Sequence, residues 1–143
     1  MSRYIVAAIL LLAGMAVAKV AGIPDKFQDY LSWTRVNIGK VNQGGAHPAG
    51  KDVYTNIAGD KLLDAFKGTF AEGTIFLKER VDPNTLVVTN IYTMEKGKNG
   101  WVWGMFERKG DKFEGGVLEN AQMCIGCHQG AKTDMVFTQP GRR

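Results

Sequence analysis

The feature that most constrains this 143-residue chain lies near its carboxyl end, in the sequence Cys-Ile-Gly-Cys-His. Two cysteines, Cys124 and Cys127, are separated by two residues, and His128 follows at once. Thiols at this spacing can add across the two vinyl groups of a haem, and the adjacent imidazole can bind its iron. The motif therefore predicts one covalently attached c-type haem, with His128 as the proximal iron ligand. The rest of the chain must then fold around a large, mostly apolar group.

There are three weaker alternatives to haem attachment. The five-residue match could arise by chance, or the Cys-x-x-Cys pair could be a redox motif or part of a zinc site. A redox motif would suit the start of a thioredoxin-like strand and helix, and the sequence around Cys124 shows no such pattern. A structural zinc site usually has four protein ligands, and the only other histidine is His47. The haem interpretation is therefore favoured.

The amino terminus has the pattern of an export signal. Arg3 precedes an apolar run over residues 4–15, and Ala-Val-Ala at residues 16–18 is typical of a cleavage site. The run is shorter than the roughly 20 apolar residues of a membrane span, although a retained anchor is the alternative. The sequence predicts a signal peptide over residues 1–18, cleavage after Ala18 and a periplasmic domain of residues 19–143. Haem is attached to such motifs outside the cytoplasm, so the two signals agree.

The charge balance indicates no nucleic-acid partner. The chain has 18 basic and 14 acidic residues, and loss of Arg3 with the leader leaves a net charge of +3. The basic residues are dispersed along the chain, which is typical of an ordinary solvated surface, whereas a nucleic-acid-binding surface has them clustered. A mild positive charge would still suit an acidic redox partner protein. Both cysteines are used by the haem motif, so no disulfide is expected.

The hydrophobic periodicity predicts an α+β fold, mainly an antiparallel β-sheet with flanking helices, in a single domain. Gly and Pro residues make the segment 39–51 a loop, and the haem motif falls on a short helix or turn over residues 119–129. The remaining elements are helices over residues 24–33 and 59–67, followed by strands over residues 74–81, 86–94, 101–108 and 113–118.

The iron is expected to have one protein ligand. Only 15 residues follow His128, which leaves little chain for the distant methionine ligand of a small electron carrier. The other candidates for a sixth ligand are His47 and four methionines, which are more often core fillers than ligands: Met94, Met105, Met123 and Met135. A five-coordinate haem has an open face that can bind NO or CO, whereas a six-coordinate haem mainly transfers electrons.

Three segments together resemble the cytochrome P-460 family, which includes the cytochromes c′-β. They are Gly-Thr-Ile-Phe-Leu-Lys-Glu at residues 73–79, the haem motif, and Lys-Thr-Asp-Met-Val-Phe-Thr at residues 132–138. The resemblance extends over about residues 52–138. It implies a mostly antiparallel β fold with helices packed on it, a five-coordinate haem with a histidine ligand, and a homodimer.

The resemblance implies two functions that differ at one lysine. In cytochromes P-460 a lysine is bonded to the haem and the enzyme oxidises hydroxylamine, yielding nitrous oxide. In cytochromes c′-β that bond is absent, the distal pocket is apolar and the protein binds NO. Lys78 occupies the position of the crosslinking lysine. Strand alternation places Phe76 on the same face as Lys78, so Phe76 is expected to form a distal wall. The alternative makes Lys78 a surface residue and Phe76 a core residue.

The cytochrome c′-β interpretation is favoured because the sequence lacks an acid where crosslinked members carry a distal carboxylate. The matching region, Asn-Ile-Tyr at residues 90–92, contains none. Glu95 is expected to be exposed, and Glu107 is a weaker substitute. A pocket walled by Phe76 and by Trp103 or Tyr92 would favour uncharged ligands.

Three smaller sets of residues give further expectations. Trp101, Trp103 and Met105 alternate, so one face of their strand is expected to pack in the core or at a dimer interface. Asp134 is expected to bond a backbone amide or the Nδ1–H of His128, or else to serve a turn or helix cap. The candidates for pairing with haem propionates, each also a candidate for the solvated surface, are Arg35, Arg80 and Lys132.

Overall fold

A computed structural model describes residues 19–37 and 52–141. Its centre is a six-stranded antiparallel sheet in which each strand pairs with the next along the chain. The predicted signal peptide and the predicted loop 39–51, with His47, lie outside the described residues. The strands are β1 (Thr34–Arg35), β2 (Val53–Thr55), β3 (Ile75–Val81), β4 (Val88–Gly97), β5 (Gly100–Lys109) and β6 (Lys112–Val117).

The four predicted strands are confirmed, with shifted ends. β4 begins at Val88 rather than at residue 86, because Leu86 has a φ of 59° and belongs to the preceding turn. β4 and β5 are joined by a two-residue turn, and Gly100 after it has a φ of 126°, a value that glycine adopts without steric cost. β1 and β2 have only 2 and 3 residues, too few for their periodicity to be recognised.

Of the three predicted helical segments, the first is wrong, the second is shortened and the one that carries the Cys-x-x-Cys-His motif is confirmed. Residues 24–33 form two short 3₁₀ turns, Asp25–Phe27 and Tyr30–Ser32, instead of one α-helix. The Gln28 side chain explains the interruption, because its amide bonds the backbone of Val20 and Ile23 at 2.7–3.0 Å and holds the incoming chain against this segment. The second predicted helix shortens to α1 (Leu62–Ala65), and the haem motif forms α2 (Gln122–His128).

Each face of the sheet has a buried apolar region, and different parts of the chain cover the two regions. The back face carries one group of apolar residues, here called the back cluster: Ile23, Phe27, Tyr30, Ile75, Leu77, Ile91, Phe106 and Phe113. The front face carries a second group, here called the front cluster: Val36, Val53, Leu62, Phe70, Phe76, Met94, Trp103 and Val136. The segment around α2 packs against the front cluster through Ala121, Cys124 and Ile125. The fold therefore places the haem motif on the front face.

No helix within residues 19–37 and 52–141 is long and apolar enough to cross a membrane.

Candidate functional site

The helix α2 brings together the three residues of the haem motif. Cys124, Cys127 and His128 stand at positions i, i+3 and i+4, which share one side of a helix. Cys124 and His128 are half-buried, Cys127 is exposed, and neither cysteine forms a disulfide. The two thiols and the imidazole are therefore presented from one element that rests on the front face of the sheet.

The imidazole of His128 is held in a defined orientation. Its Nδ1 donates a hydrogen bond to the backbone oxygen of Met135 at 2.7 Å, so Nε2 is the nitrogen that would bind iron. The rings of Trp103 and Phe137 contact it edge-on, with ring centroids 4.7 and 5.2 Å away. Burial lowers the pKa of His128, the bond to Met135 opposes this shift, and the charge of Lys78 adds to it. A neutral imidazole is the form that binds a metal.

The acceptor of that bond belongs to a tight turn after α2. The amide of Val136 donates to the oxygen of Thr133 at 2.7 Å, and the two central residues, Asp134 and Met135, have φ values of 36° and 66°. Positive φ at both central positions is the pattern of a type I′ turn, which normally takes Asn and Gly. Neither central residue is a glycine here, so the turn is strained.

The carboxylate of Asp134 anchors this turn to the sheet. It accepts hydrogen bonds from the amide of Phe70 at 2.9 Å, from Nζ of Lys96 at 2.9 Å to each oxygen, and from Nε1 of Trp101 at 3.3 Å. Burial alone would raise the pKa of Asp134, but these donors outweigh it and hold the pKa below its ordinary value. The expected bond to a backbone amide is confirmed. The alternative bond to His128 is wrong, because the turn places the Met135 oxygen beside the imidazole instead.

Lys78 and Phe76 share the front face, as strand alternation predicts. Across the sheet, Phe76 pairs with Met94 and Lys78 pairs with Tyr92, and Met94 in turn pairs with Trp103. Lys78 is half-buried, and its charge acts on the imidazole of His128.

Phe76 is 4% exposed and packs edge-on in a group of aromatic rings. Its ring centroid lies 4.9 Å from Phe70, 5.8 Å from Phe66 and 6.1 Å from Trp101. The face beside Lys78 is therefore apolar and aromatic on the side of Phe76.

The carboxylates considered for the distal pocket lie elsewhere. Glu95 projects from the back face, where it forms an ion pair with Lys26. Glu107 is on the front face but is exposed and pairs with Lys109 at 2.7 Å. The front-facing residues of β4 around Lys78 are Asn90, Tyr92 and Met94, so this stretch of the described sheet carries no acid beside the lysine.

Trp103 contacts the imidazole of His128, and its indole N–H is an unusual feature. The residue is 6% exposed, and its buried Nε1 has no hydrogen-bond partner among the described residues. A buried donor without an acceptor is costly and points to a group that supplies one. Trp103 also forms part of the wall of an open groove beside α2, with Leu118 and Ile125.

The donor set fits a haem. The described residues contain no group of three or more His, Cys, Asp or Glu side chains arranged to hold a metal ion by themselves. An iron bound by His128 would thus need most of its ligands from a porphyrin, and haem carboxylates could accept from the buried indole of Trp103. The thiols of Cys124 and Cys127 are positioned on the same helix as that ligand.

The residues proposed for the haem propionates are spread over the molecule. Arg35 pairs with Asp52 at 2.5 Å, and its strand partner Tyr54 packs against the back cluster, so it lies away from the site. Arg80 is on the front face, where Nη1 contacts Oδ1 of Asn90 at 3.4 Å. Lys132 is exposed after α2.

The expectation that one face of β5 packs in the core is confirmed for Trp101 and Trp103, which pack in or against the front cluster. Met105 on the same face is 40% exposed.

Comparison with known proteins covers most of the domain. The family model described as Cytochrome P460 matches residues 27–138, a range that includes β1 to β6, α2 and the turn after it. No curated protein matches the chain.

Proposed function

The chain belongs to the cytochrome P460 family of haem cytochromes, and from that premise we propose that it is a periplasmic cytochrome that binds NO. In this proposal the leader is cleaved after Ala18 and one haem is attached through Cys124 and Cys127. His128 is the single protein ligand of the iron. Amino-terminal sequencing of the exported protein should begin at Lys19.

The observation that carries this proposal is the fixed imidazole of His128. Its Nδ1–H is committed to the Met135 oxygen at 2.7 Å, which orients Nε2 and increases its basicity as a ligand. Trp103 and Phe137 hold the ring from its sides. When bound, the haem would supply an iron with an open coordination position for small ligands such as NO and CO.

The choice of an uncharged ligand follows from the front face beside Lys78. Phe76, Tyr92 and Met94 make this face largely apolar, and the stretch of β4 opposite Lys78 offers no carboxylate to accept or deliver protons. Proton transfer is needed to oxidise hydroxylamine but not to bind NO. We therefore favour the function of a cytochrome c′-β, with electron exchange through a partner protein.

A second candidate function is hydroxylamine oxidation, and the position of Lys78 is the observation in its favour. The lysine faces the same side of the sheet as Trp103, and its charge acts on His128. It is thus the residue that would form the haem crosslink of the enzymatic members.

Replacement of Lys78 by Met distinguishes the two candidates, with Lys132→Met as the exposed control. We expect the wild-type ferrous spectrum to lack a strongly red-shifted Soret band and to be unchanged in Lys78→Met. We also expect NO to bind to both variants and the wild type, and hydroxylamine to give no turnover. A red-shifted band and hydroxylamine turnover that are both lost only in Lys78→Met would establish the enzyme instead.

We also propose that the protein is a homodimer, as the family resemblance implies. β6 is an edge strand of the sheet, and two valines beside this edge, Val102 and Val117, are 41% and 68% exposed. Exposed apolar side chains at a sheet edge favour association. Sedimentation equilibrium of the haem-loaded protein should give twice the mass of one chain, and a monomer at all concentrations would contradict the dimer.

A further inference from the structure

The turn that accepts the His128 hydrogen bond is held in an unfavourable conformation by a distant part of the sheet. Asp134 and Met135 both have positive φ, a conformation that is unfavourable for a residue with a side chain. A turn of this sequence would not adopt the conformation without compensation from elsewhere. The carboxylate of Asp134 provides the compensation through its four accepted hydrogen bonds.

The donors to Asp134 come from three separate places in the fold. Lys96 is at the end of β4, Trp101 is at the start of β5, and the amide of Phe70 precedes β3. The Lys96 and Asp134 side chains are only 16% and 14% exposed, so their ion pair is shielded from solvent. Lys96 Nζ also lies 5.0 Å from the Trp101 ring. The carboxylate is therefore bonded both to the end of the β4–β5 hairpin and to the segment before β3.

We propose that Asp134 is a positioning residue for the proximal ligand. By locking the turn to the β4–β5 hairpin, it keeps the Met135 carbonyl directed at Nδ1 of His128, and through that bond it sets how strongly the imidazole donates to iron. The Asp134 carboxylate bonds Phe70, Lys96 and Trp101, whereas Nδ1 of His128 bonds the Met135 carbonyl. This inference rests on the proposed function, because it assumes a haem ligated by His128.

The variant that removes the anchor is Asp134→Ala in the haem-loaded protein. Without the carboxylate the turn relaxes and the Nδ1–H bond lengthens or is lost. Resonance Raman spectroscopy of the ferrous protein should show a lower iron–histidine stretching frequency. The ferric–ferrous equilibrium should shift about tenfold towards the ferrous form, the lower end of the roughly 10- to 100-fold effects that loss of such outer contacts has on metal affinity or activity. For one electron that shift is about 59 mV in reduction potential.

A double variant tests whether the anchor acts through the shape of the turn. Asp134→Asn with Met135→Gly creates Asn-Gly, the sequence that favours a type I′ turn without outside support. We expect it to restore the wild-type stretching frequency, although the Lys96 ion pair is absent. If the double variant instead behaved like Asp134→Ala, the inference would be overturned, because the carboxylate would then act by its charge.

The control is Glu95→Gln, which breaks an ion pair at the residue next to Lys96 but on the back face. It should leave the iron–histidine band and the potential unchanged. A purely structural role for Asp134 would lower the unfolding midpoint of Asp134→Ala while the band stayed fixed, and this outcome would refute the inference. Lys96→Met, which removes one partner only, gives a second test if Asp134→Ala does not fold.

The same samples separate failure of the inference from failure of the proposed function. Haem that stays with the wild-type chain on a denaturing gel, together with an iron–histidine band, supports the proposed attachment and ligation. If either were absent from the wild type, the proposed function itself would fail. If both were present and insensitive to Asp134→Ala, only the inference would fail.

Discussion

Single residues on β3 alternate between two different environments. Lys78 projects to the front face beside the candidate site, and the next residue, Glu79, is buried in the back face with only 6% exposure. The Tyr30 hydroxyl donates to Oε1 of Glu79 at 2.6 Å. Burial raises the pKa of Glu79 and the charge of Asp52 adds to this rise, while the Tyr30 bond and Arg35 oppose it. The net direction is upward, because the bond is too weak to offset burial.

This raised pKa predicts a pH-dependent stability. The folded state holds the Glu79 proton more tightly than the unfolded chain, so its contribution is fully present below the ordinary pKa of 4.5. It is lost as the pH rises through the higher folded pKa. Glu79→Gln should flatten this part of the pH profile of the unfolding free energy, since the amide oxygen can still accept from Tyr30. Urea titrations at a series of pH values from 4.5 upwards measure the unfolding free energy of each variant. The control Glu119→Gln, at an exposed position, should keep the wild-type dependence of that free energy on pH. Equal slopes for both variants would contradict the assignment.

The Cys-x-x-Cys-His motif stands out in the sequence, but the residues that contact its histidine and the turn after it do not. Cys124, Cys127 and His128 are adjacent in the chain, and their spacing carries the chemistry. Asp134 contacts Lys96 and the Phe70 amide across separations of 38 and 64 residues. Such contacts form only when the sheet brings distant segments together, so they cannot be predicted from the local sequence pattern.

At the level of elements, the β3–β4 turn contains a residue in a strained conformation. Leu86 has a φ of 59° and is 68% exposed, so its side chain gains little from packing. The turn is otherwise well bonded, because Oδ1 of Asp82 accepts from the amides of Asn84 and Thr85 at 2.9 Å. The strain is therefore local to Leu86.

Glycine at position 86 should stabilise the protein. It removes roughly 1–2 kcal/mol of left-handed strain and costs roughly 0.5–1 kcal/mol in backbone entropy, which leaves a net gain of up to about 1.5 kcal/mol. The matched control is Leu63→Gly in α1, where the leucine is 60% exposed but helical, and a loss of about 1 kcal/mol is expected. Chemical denaturation measures both. Destabilisation by Leu86→Gly would show that the side chain contributes packing that its exposure does not suggest.

The strands and the helix of the Cys-x-x-Cys-His motif were predictable, but the structure of residues 24–33 was not, for a physical reason. Paired strands with β-branched residues and glycine turns keep their local signals, as in β3 to β5. Residues 24–33 have apolar spacing that suits a helix, yet the large residues Phe27 and Tyr30 are drawn into the back cluster. Burial of those rings outweighs the hydrogen bonds that a continuous helix would gain.

The molecule as a whole is a sheet covered on both faces, with the candidate site on one of them. The back cluster is completed by the amino-terminal segment, and the front cluster by α1, α2 and the turn after α2. An antiparallel sheet with flanking helices was predictable, and the family match over residues 27–138 agrees with it. The sequence did not predict which segment covers each face of the sheet. In β3 the consecutive residues Ile75, Phe76 and Leu77 are all buried, so the alternation of buried and exposed residues no longer distinguishes the two faces.

Carbon monoxide binding to the reduced, haem-loaded protein is the most direct test of the central claim that His128 is the only protein ligand of the iron. The account predicts a high-spin, five-coordinate ferrous spectrum that changes fully to that of a low-spin complex when carbon monoxide is added. NO should produce a corresponding change. A ferrous spectrum that is low-spin before any ligand is added, and that carbon monoxide leaves unaltered, would contradict the account and identify a six-coordinate electron carrier.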